Sequence, residues 1–367
     1  MTDFRLTDLA RELPSTVPFV GPEAQERARE RRFDARLGAN ESVFGPSPGA
    51  MRAMAETGHW MYGDPESYDL RDALARHLKT SPDHIMVGEG IDGLLSYLVR
   101  LFVAPGDAVV TSDGAYPTFN YHVAGYGGVL HKVPYKEDHE DPEALFAKAR
   151  EVDAKLVYLA NPDNPMGTAH RGEEIKAMMA DLPEGTLLVL DEAYIECAPL
   201  GTALPTPFDD PRVIRLRTFS KAYGLAGARI GYAIGAPELI SAFNKVRNHF
   251  GVNRAAQEGA LAALADQAWL RSVLARIDAS RLRIAKIARA SGLEPLKSAA
   301  NFVAIDCGHD GAFAKRVLEN LVDQGVFVRM PFVAPQNRCI RISCGTPADL
   351  DILADILPNA LRDAEKS

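Results

Sequence analysis

Lys221 stands in the run TFSKAYGLAGARIGY (Thr218–Tyr232), just behind the hydroxyls of Thr218 and Ser220 and ahead of several glycines and Arg229. An amine among small residues that let backbone approach a ligand suits two chemistries. It could carry a carbonyl cofactor covalently, as a neutral amine does in a Schiff base, or serve as a plain cation in a phosphate-binding loop. Nothing inside the run separates the two. Two other runs end in reactive groups: VYLANPDNPMG supplies Asn161 and Asn164, and LLVLDEAY supplies Asp191 and Tyr194. Each has an ordinary reading taken singly. Asn before Pro forms turns, an aspartate ahead of a helix caps it, and a Ser-Lys followed by glycines describes many anion sites.

The elements around these residues set their placement. From about Tyr68 onward, short apolar runs closed by Gly, Pro, Asp or Asn alternate with helical patterns. That texture predicts an α/β fold, a large domain with a mostly parallel sheet flanked by helices. Ligands of such sheets sit at the carboxyl ends of the strands. Three successive strands, ending at Asn161, Asp191 and Lys221, therefore bring an amide, a carboxylate with a phenol, and hydroxyls with an amine to one rim. After residue 245 the pattern changes to long helices over about 252–290, then to a small α+β domain built from NFVAIDC, GVFVRMP, CIRISCG and a closing helix. The expected division is an N-terminal arm and part of the small domain over 1–36, the large domain over 37–245, and the small C-terminal domain over 246–367.

Bulk properties exclude several functions. The 367 residues are 47% hydrophobic and 25% charged, with net charge −8, which argues against a nucleic-acid or anionic-membrane partner. The basic run RARERRFDAR is interleaved with acids and reads as a solvated helix face. No segment has the apolar length of a membrane span, and the first fifteen residues lack the apolar core of a secretion signal. The four cysteines show no metal spacing and are expected to be reduced structural thiols of a cytoplasmic protein, with Cys339 and Cys344 on opposite faces of one strand. The nine histidines form no metal-like pair, so no metal site is expected.

Taken in order, LGANESVFGPSP, MYGDPESYDLRDALA, GEGIDG, DGAYPTF, NPDNPMG, DEAY, SKAYGLAGARIGY and CIRISCGT resemble the aspartate-aminotransferase-like, fold-type I pyridoxal-5′-phosphate enzymes, in their histidinol-phosphate aminotransferase branch. The resemblance covers nearly the whole chain. It implies pyridoxal 5′-phosphate as cofactor, with Lys221 as the residue that links to its aldehyde at rest and acts as base once substrate displaces it. Asp191 would keep the pyridine nitrogen protonated, and Tyr194 and Asn164 would hydrogen-bond the ring's phenolic oxygen. Thr218, Ser220 and Arg229 would hold the phosphate, together with the backbone N–H groups of Ile91 and Asp92 at a helix N-terminus. Tyr116 would stack on the ring. Tyr62 would reach the phosphate of a neighbouring subunit, which makes the active unit a homodimer. The resemblance also suggests a cis bond at Asn164–Pro165.

For the substrate, the resemblance assigns Arg341 to a carboxylate and Arg329 to a phosphate. This chain departs from the family pattern at Phe19, where a tyrosine that contacts the substrate phosphate is usual, and at Val43 and Met166. Phe19 keeps an aromatic wall and removes a donor, so an aromatic amino acid is an alternative substrate. The expected reaction is transamination between an amino acid or histidinol phosphate and a 2-oxo acid, with ping-pong kinetics. Two other readings stay open on the sequence: a lyase on the same fold, such as a threonine-phosphate decarboxylase, and a non-catalytic binding module.

Overall fold

A computed structural model describes residues 4–15, 20–205 and 207–366. The first strand, β1 (Ala35–Arg36), precedes a large sheet made of β2 (Ile85–Gly88), β3 (Ala108–Ser112), β4 (Val129–Val133), β5 (Leu156–Ala160), β6 (Leu187–Asp191), β7 (Val213–Thr218) and β8 (Gly231–Ile234). Their spatial order is β2-β8-β7-β6-β5-β3-β4. Within it β8 runs antiparallel to β2 and β7, and the other pairs are parallel. The expected mostly parallel α/β architecture is therefore the one the chain adopts.

Strands β5 and β6, LVYLA and LLVLD, are buried at every position. Their side chains alternate between two apolar clusters. Leu156 and Tyr158 face the Gly90–Phe102 helix with Phe119 and Phe243, while Val157 and Leu159 face Phe146, Ile175 and Met179. Helices on both faces are what such continuous apolar runs require.

A second sheet is antiparallel: β10 (Phe302–Asp306) lies between β9 (Glu294–Pro295) and β12 (Cys339–Ser343). Strand β11 (Val326–Phe327) pairs in parallel with β1, so the N-terminal segment joins the C-terminal part of the chain. The Arg254–Ala265 helix, capped by Asn253 at 2.8 Å from Ala256 N, packs on the Pro48–Glu56 and Tyr68–Leu78 helices of the N-terminal half. Strand β12 stops at Ser343, one residue before Cys344. The two thiols still go to separate clusters, Cys339 beside Met166 and Ala304, and Cys344 in the main core. All four cysteines are free and buried.

The basic run is solvated at Arg27, Arg31, Arg32 and Arg36, but it is not the single helix face expected: the Pro22–Arg29 helix ends inside it, and Phe33 and Ala35 turn inward as the chain enters β1. Arg36 pairs with Glu23 at 2.9 Å and Glu26 at 2.5 Å. Among the described residues no helix is long and apolar enough to cross a membrane, and no group of His, Cys, Asp and Glu could hold a metal ion. A further expectation is corrected. Among the described residues the cis bonds are Asn161–Pro162 and Ala334–Pro335, not Asn164–Pro165. The tight turn falls where β5 ends, at Asn161, whose amide nitrogen is held by the His170 and Thr202 carbonyls at 3.1 Å each.

Directly behind Asp191, Glu192 is buried and accepts from Arg215 at 2.9 and 3.1 Å and from Arg217 at 2.7 Å. Burial works to raise its carboxyl, but Arg217 and Arg215 outweigh that and hold it below the ordinary value. Removing one charge of such a group strands the others away from water. Glu192→Gln is expected to cost about 3–5 kcal/mol in urea unfolding; a loss below about 1 kcal/mol, the range of exposed pairs, would contradict this.

Candidate active site

The carboxyl ends of β5, β6 and β7 open on a cavity of about 550 Å³. Its wall brings together Lys221, Asp191, Tyr194, Asn164, Thr218, Ser220, Arg229, Ile91, Asp92, Tyr116, Arg329 and Arg341.

Asp191 closes β6 and forms the floor. Its Oδ1 accepts from Ala193 N at 2.9 Å, and its Oδ2 accepts from the Tyr158 hydroxyl at 2.6 Å. Burial pushes this carboxyl up to about 6; the Tyr158 and Ala193 donors, and Lys221 more weakly, oppose the shift. Half-buried Lys221 extends from the turn after β7. Its Nζ lies 3.4 Å from the Asn40 carbonyl and 5.4 Å from the centre of the Tyr194 ring. The Tyr194 oxygen accepts from Asn40 Nδ2 at 3.2 Å and Asn164 Nδ2 at 3.4 Å. With both acceptor positions engaged by amides, its own proton is left to donate.

At one end of the cavity the donors suit a dianion. Thr218 Oγ1 donates to Ser220 Oγ at 2.9 Å and accepts from Ser220 N at 3.0 Å. Arg229, at φ 56°, sets Nη1 3.5 Å from Ser220 Oγ and Nη2 3.4 Å from Asp92 Oδ2. The Gly90–Phe102 helix begins here, so Ile91 and Asp92 place its positive end at the cavity wall. Gly90 has φ +78°, and a Cβ on it would lie 2.6 Å from the Arg229 guanidinium. Glycine thus meets both the turn and the close approach. Tyr116 walls the same end, its hydroxyl 3.1 Å from Asp92 Oδ1; burial, and then Asp92, push the phenol above its ordinary value.

Opposite stand two arginines whose backbones pair, Arg341 N donating to the Arg329 carbonyl at 2.6 Å. Arg341 Nη1 donates to Asn164 Oδ1 at 2.5 Å and Nη2 to the Gly38 carbonyl at 3.1 Å, whereas its buried Nε has no partner. Arg329 lies over the Phe327 ring at 5.1 Å and donates to the Val20 carbonyl. Burial lowers both guanidinium groups from their ordinary value, so each favours an anion brought into the cavity.

This donor set fits pyridoxal phosphate. An amine can meet its aldehyde, a carboxylate its ring nitrogen, a phenol and an amide its ring oxygen, and an arginine, hydroxyls and a helix end its phosphate. Tyr62 is not among the residues of this cavity; it is 78% exposed and packs on Phe250 at 4.8 Å. Phe19 lies outside the described residues. Three contributors escape a reading of motifs. Asn40 sits in the run GANES and is buried against Tyr194 and Ser343 Oγ. Asn301 donates to the Asn40 carbonyl at 3.0 Å, and Tyr158 reads as one more core residue of an apolar strand. Only a polar side chain inside an apolar run signals Tyr158.

Known proteins resemble this chain. The pattern of the aminotransferases of class I and II matches residues 35–357. A histidinol-phosphate aminotransferase of Anaeromyxobacter sp. is 38% identical over 86% of this chain and 88% of its own. A second, from Carboxydothermus hydrogenoformans, is 33% identical over 91% and 94%. The crystal structure of histidinol-phosphate aminotransferase from Sinorhizobium meliloti, in complex with pyridoxal 5′-phosphate, superposes with a TM-score of 0.95 over 99% of both chains at 54% identity. Aspartate aminotransferase from Thermus thermophilus, at 21% identity and a TM-score of 0.78 over 97% and 99%, shares the fold.

The raised carboxyl of Asp191 has a consequence in the cofactor-free protein. The folded state holds its proton up to about pH 6 and the unfolded chain releases it near pH 4, so this group costs stability as pH rises through that window. Asp191→Asn is expected to gain on the order of 2 kcal/mol relative to wild type between pH 4 and pH 7 in urea unfolding. A difference independent of pH would contradict the assignment.

Proposed function

The chain belongs to the class I and II aminotransferases and is a pyridoxal-phosphate-dependent enzyme, and from that premise we propose that it moves an amino group between histidinol phosphate and a 2-oxo acid. The observation that carries the substrate is the pair of neighbouring arginines that line the same cavity as Lys221. Two cations suit a phosphate in one half-reaction and the carboxylates of a 2-oxo acid in the other. The names of the relatives point the same way.

When bound, the cofactor supplies an electrophilic aldehyde and a ring that accepts electrons from the substrate carbon. The protein's residues do the rest. Asp191, anionic at neutral pH, holds a proton on the ring nitrogen. Tyr194 O–H and Asn164 Nδ2 hydrogen-bond the ring oxygen, and Arg341 Nη1 on Asn164 Oδ1 turns that amide so that its nitrogen faces Tyr194. Ser220, Thr218, Arg229 and the N–H groups of Ile91 and Asp92 would hold the phosphate. Lys221 Nζ would take the proton from the substrate Cα and deliver it to the former aldehyde carbon of the cofactor on the same face. Tyr116 would wall the ring, and Arg329 and Arg341 would orient the amino donor towards Nζ. Arg341 Nε, without a partner, supplies a donor for the carboxylate of the acceptor.

The active unit is a homodimer of two-fold symmetry working in the cytoplasm. Trp60, Tyr62 and Phe250, each more than half exposed, form an aromatic strip that a second copy would cover. Tyr62, outside its own cavity, would reach the phosphate of the partner's cofactor. Four free, buried thiols fit a reducing compartment.

A single turnover tests the substrate. Histidinol phosphate mixed with the loaded enzyme is expected to bleach the cofactor's visible band faster than phenylalanine at equal concentration, and steady-state plots against both substrates to run parallel. Arg329→Gln is expected to reduce kcat/KM about 10–100-fold for histidinol phosphate and far less for phenylalanine. Faster conversion of phenylalanine would make the enzyme an aromatic aminotransferase, with Phe19→Tyr the next variant; intersecting plots would contradict the two half-reactions.

A further inference from the structure

Tyr158 is the one polar side chain in the interior of LVYLA, a strand buried along its whole length. The phenylalanine that would pack as well there lacks only the hydroxyl, and a buried hydroxyl is costly unless it is bonded. Its partner is Oδ2 of Asp191 at 2.6 Å, a short, charge-assisted bond between neighbouring strands. The Tyr158 ring is itself fixed, stacked on Phe119 with centroids 4.8 Å apart and planes 17° apart. Phe119 lies in the Pro117–Gly125 helix, whose N-cap is Tyr116 of the cavity wall. The stacked pair and the helix that carries Phe119 thus connect Tyr116 of the cavity wall to the residue that bonds Asp191. Ala193 N holds the other carboxylate oxygen, so the plane of Asp191 is set from both sides.

We propose that Tyr158 is a positioning residue for the pyridine end of the cofactor: its hydroxyl holds Asp191 Oδ2 in place and keeps the carboxylate anionic towards the ring nitrogen. The inference rests on the reading that Asp191 meets that nitrogen. Without the hydroxyl, the buried carboxylate has one donor fewer, turns more freely and takes up a proton more readily. It then competes poorly for the pyridinium N–H.

The test compares two cofactors that differ at one ring atom. Cofactor-free wild type and Tyr158→Phe are each titrated with pyridoxal phosphate and with its 1-deaza analogue, in which a CH replaces the ring nitrogen, and Kd is read from protein fluorescence. Wild type is expected to prefer pyridoxal phosphate. Tyr158→Phe is expected to weaken that cofactor about tenfold and the analogue less than about twofold, so that the preference collapses. An equal loss for both ligands would make the hydroxyl a packing feature and overturn the proposal. A wild type without any preference would instead overturn the assignment of Asp191 to the ring nitrogen, and Tyr158 with it. Site-specific 3-fluorotyrosine at position 158 preserves the ring and strengthens the donor, so it gives an answer even if the phenylalanine variant does not fold. It is expected to raise the preference, and an unchanged preference overturns the proposal.

Discussion

A carboxylate buried at the end of a central strand governs this site. Asp191 sits where water cannot solvate it, and an isolated charge there would take up a proton and lose its use. Three groups oppose that: the Tyr158 hydroxyl, the Ala193 N–H and, more weakly, Lys221. The arrangement needs β5, β6 and β7 side by side and in parallel, because only then do Tyr158, Asp191 and the turn bearing Lys221 arrive at the same edge. Glu192 strengthens the same edge from behind, binding two arginines of β7 and so tying that strand to the residue that follows Asp191.

The far end of the cavity answers to a different constraint, the need to surround a dianion with donors without crowding it. Gly90 opens a helix at a positive φ and leaves the space taken by the Arg229 guanidinium. Arg229 itself adopts a left-handed backbone to face back into the cavity. Asp92 holds that guanidinium at 3.4 Å, a loose contact that an incoming phosphate can outbid with shorter bonds. The remaining wall is assembled over great sequence distances: Asn40 and Gly38 follow β1, Arg329 follows β11, and Arg341 lies in β12. Pairing of β1 with β11 brings these pieces to one place.

Much of this is legible in the sequence, and the pattern of what is not has a physical cause. Continuous apolar runs closed by turn formers announce a parallel sheet, and reactive side chains at the ends of those runs mark its functional edge. Lys221, Asp191 and Asn164 stand at the ends of such runs, Arg229 is named by the resemblance, and all four share one cavity. The direction of β8 is not written in its apolar run, since periodicity is blind to polarity of the chain. Tyr158 hides because a strand interior normally means core, and only its partner gives the hydroxyl meaning. Asn40 and Asn301 act through a contact 261 residues apart in the chain, beyond any local pattern. The cis bond lies at Asn161–Pro162, directly after β5, one Asn-Pro pair before the one the resemblance implies.

The central claim is that Lys221 Nζ is the covalent point of attachment, and reductive trapping tests it most directly. The loaded enzyme is treated with borohydride, digested, and its peptides are weighed. The account predicts one modified peptide per chain, carrying a reduced pyridoxyl phosphate on Lys221, and none in Lys221→Ala. Modification of a different lysine, or none at all in an enzyme that binds the cofactor, would contradict it.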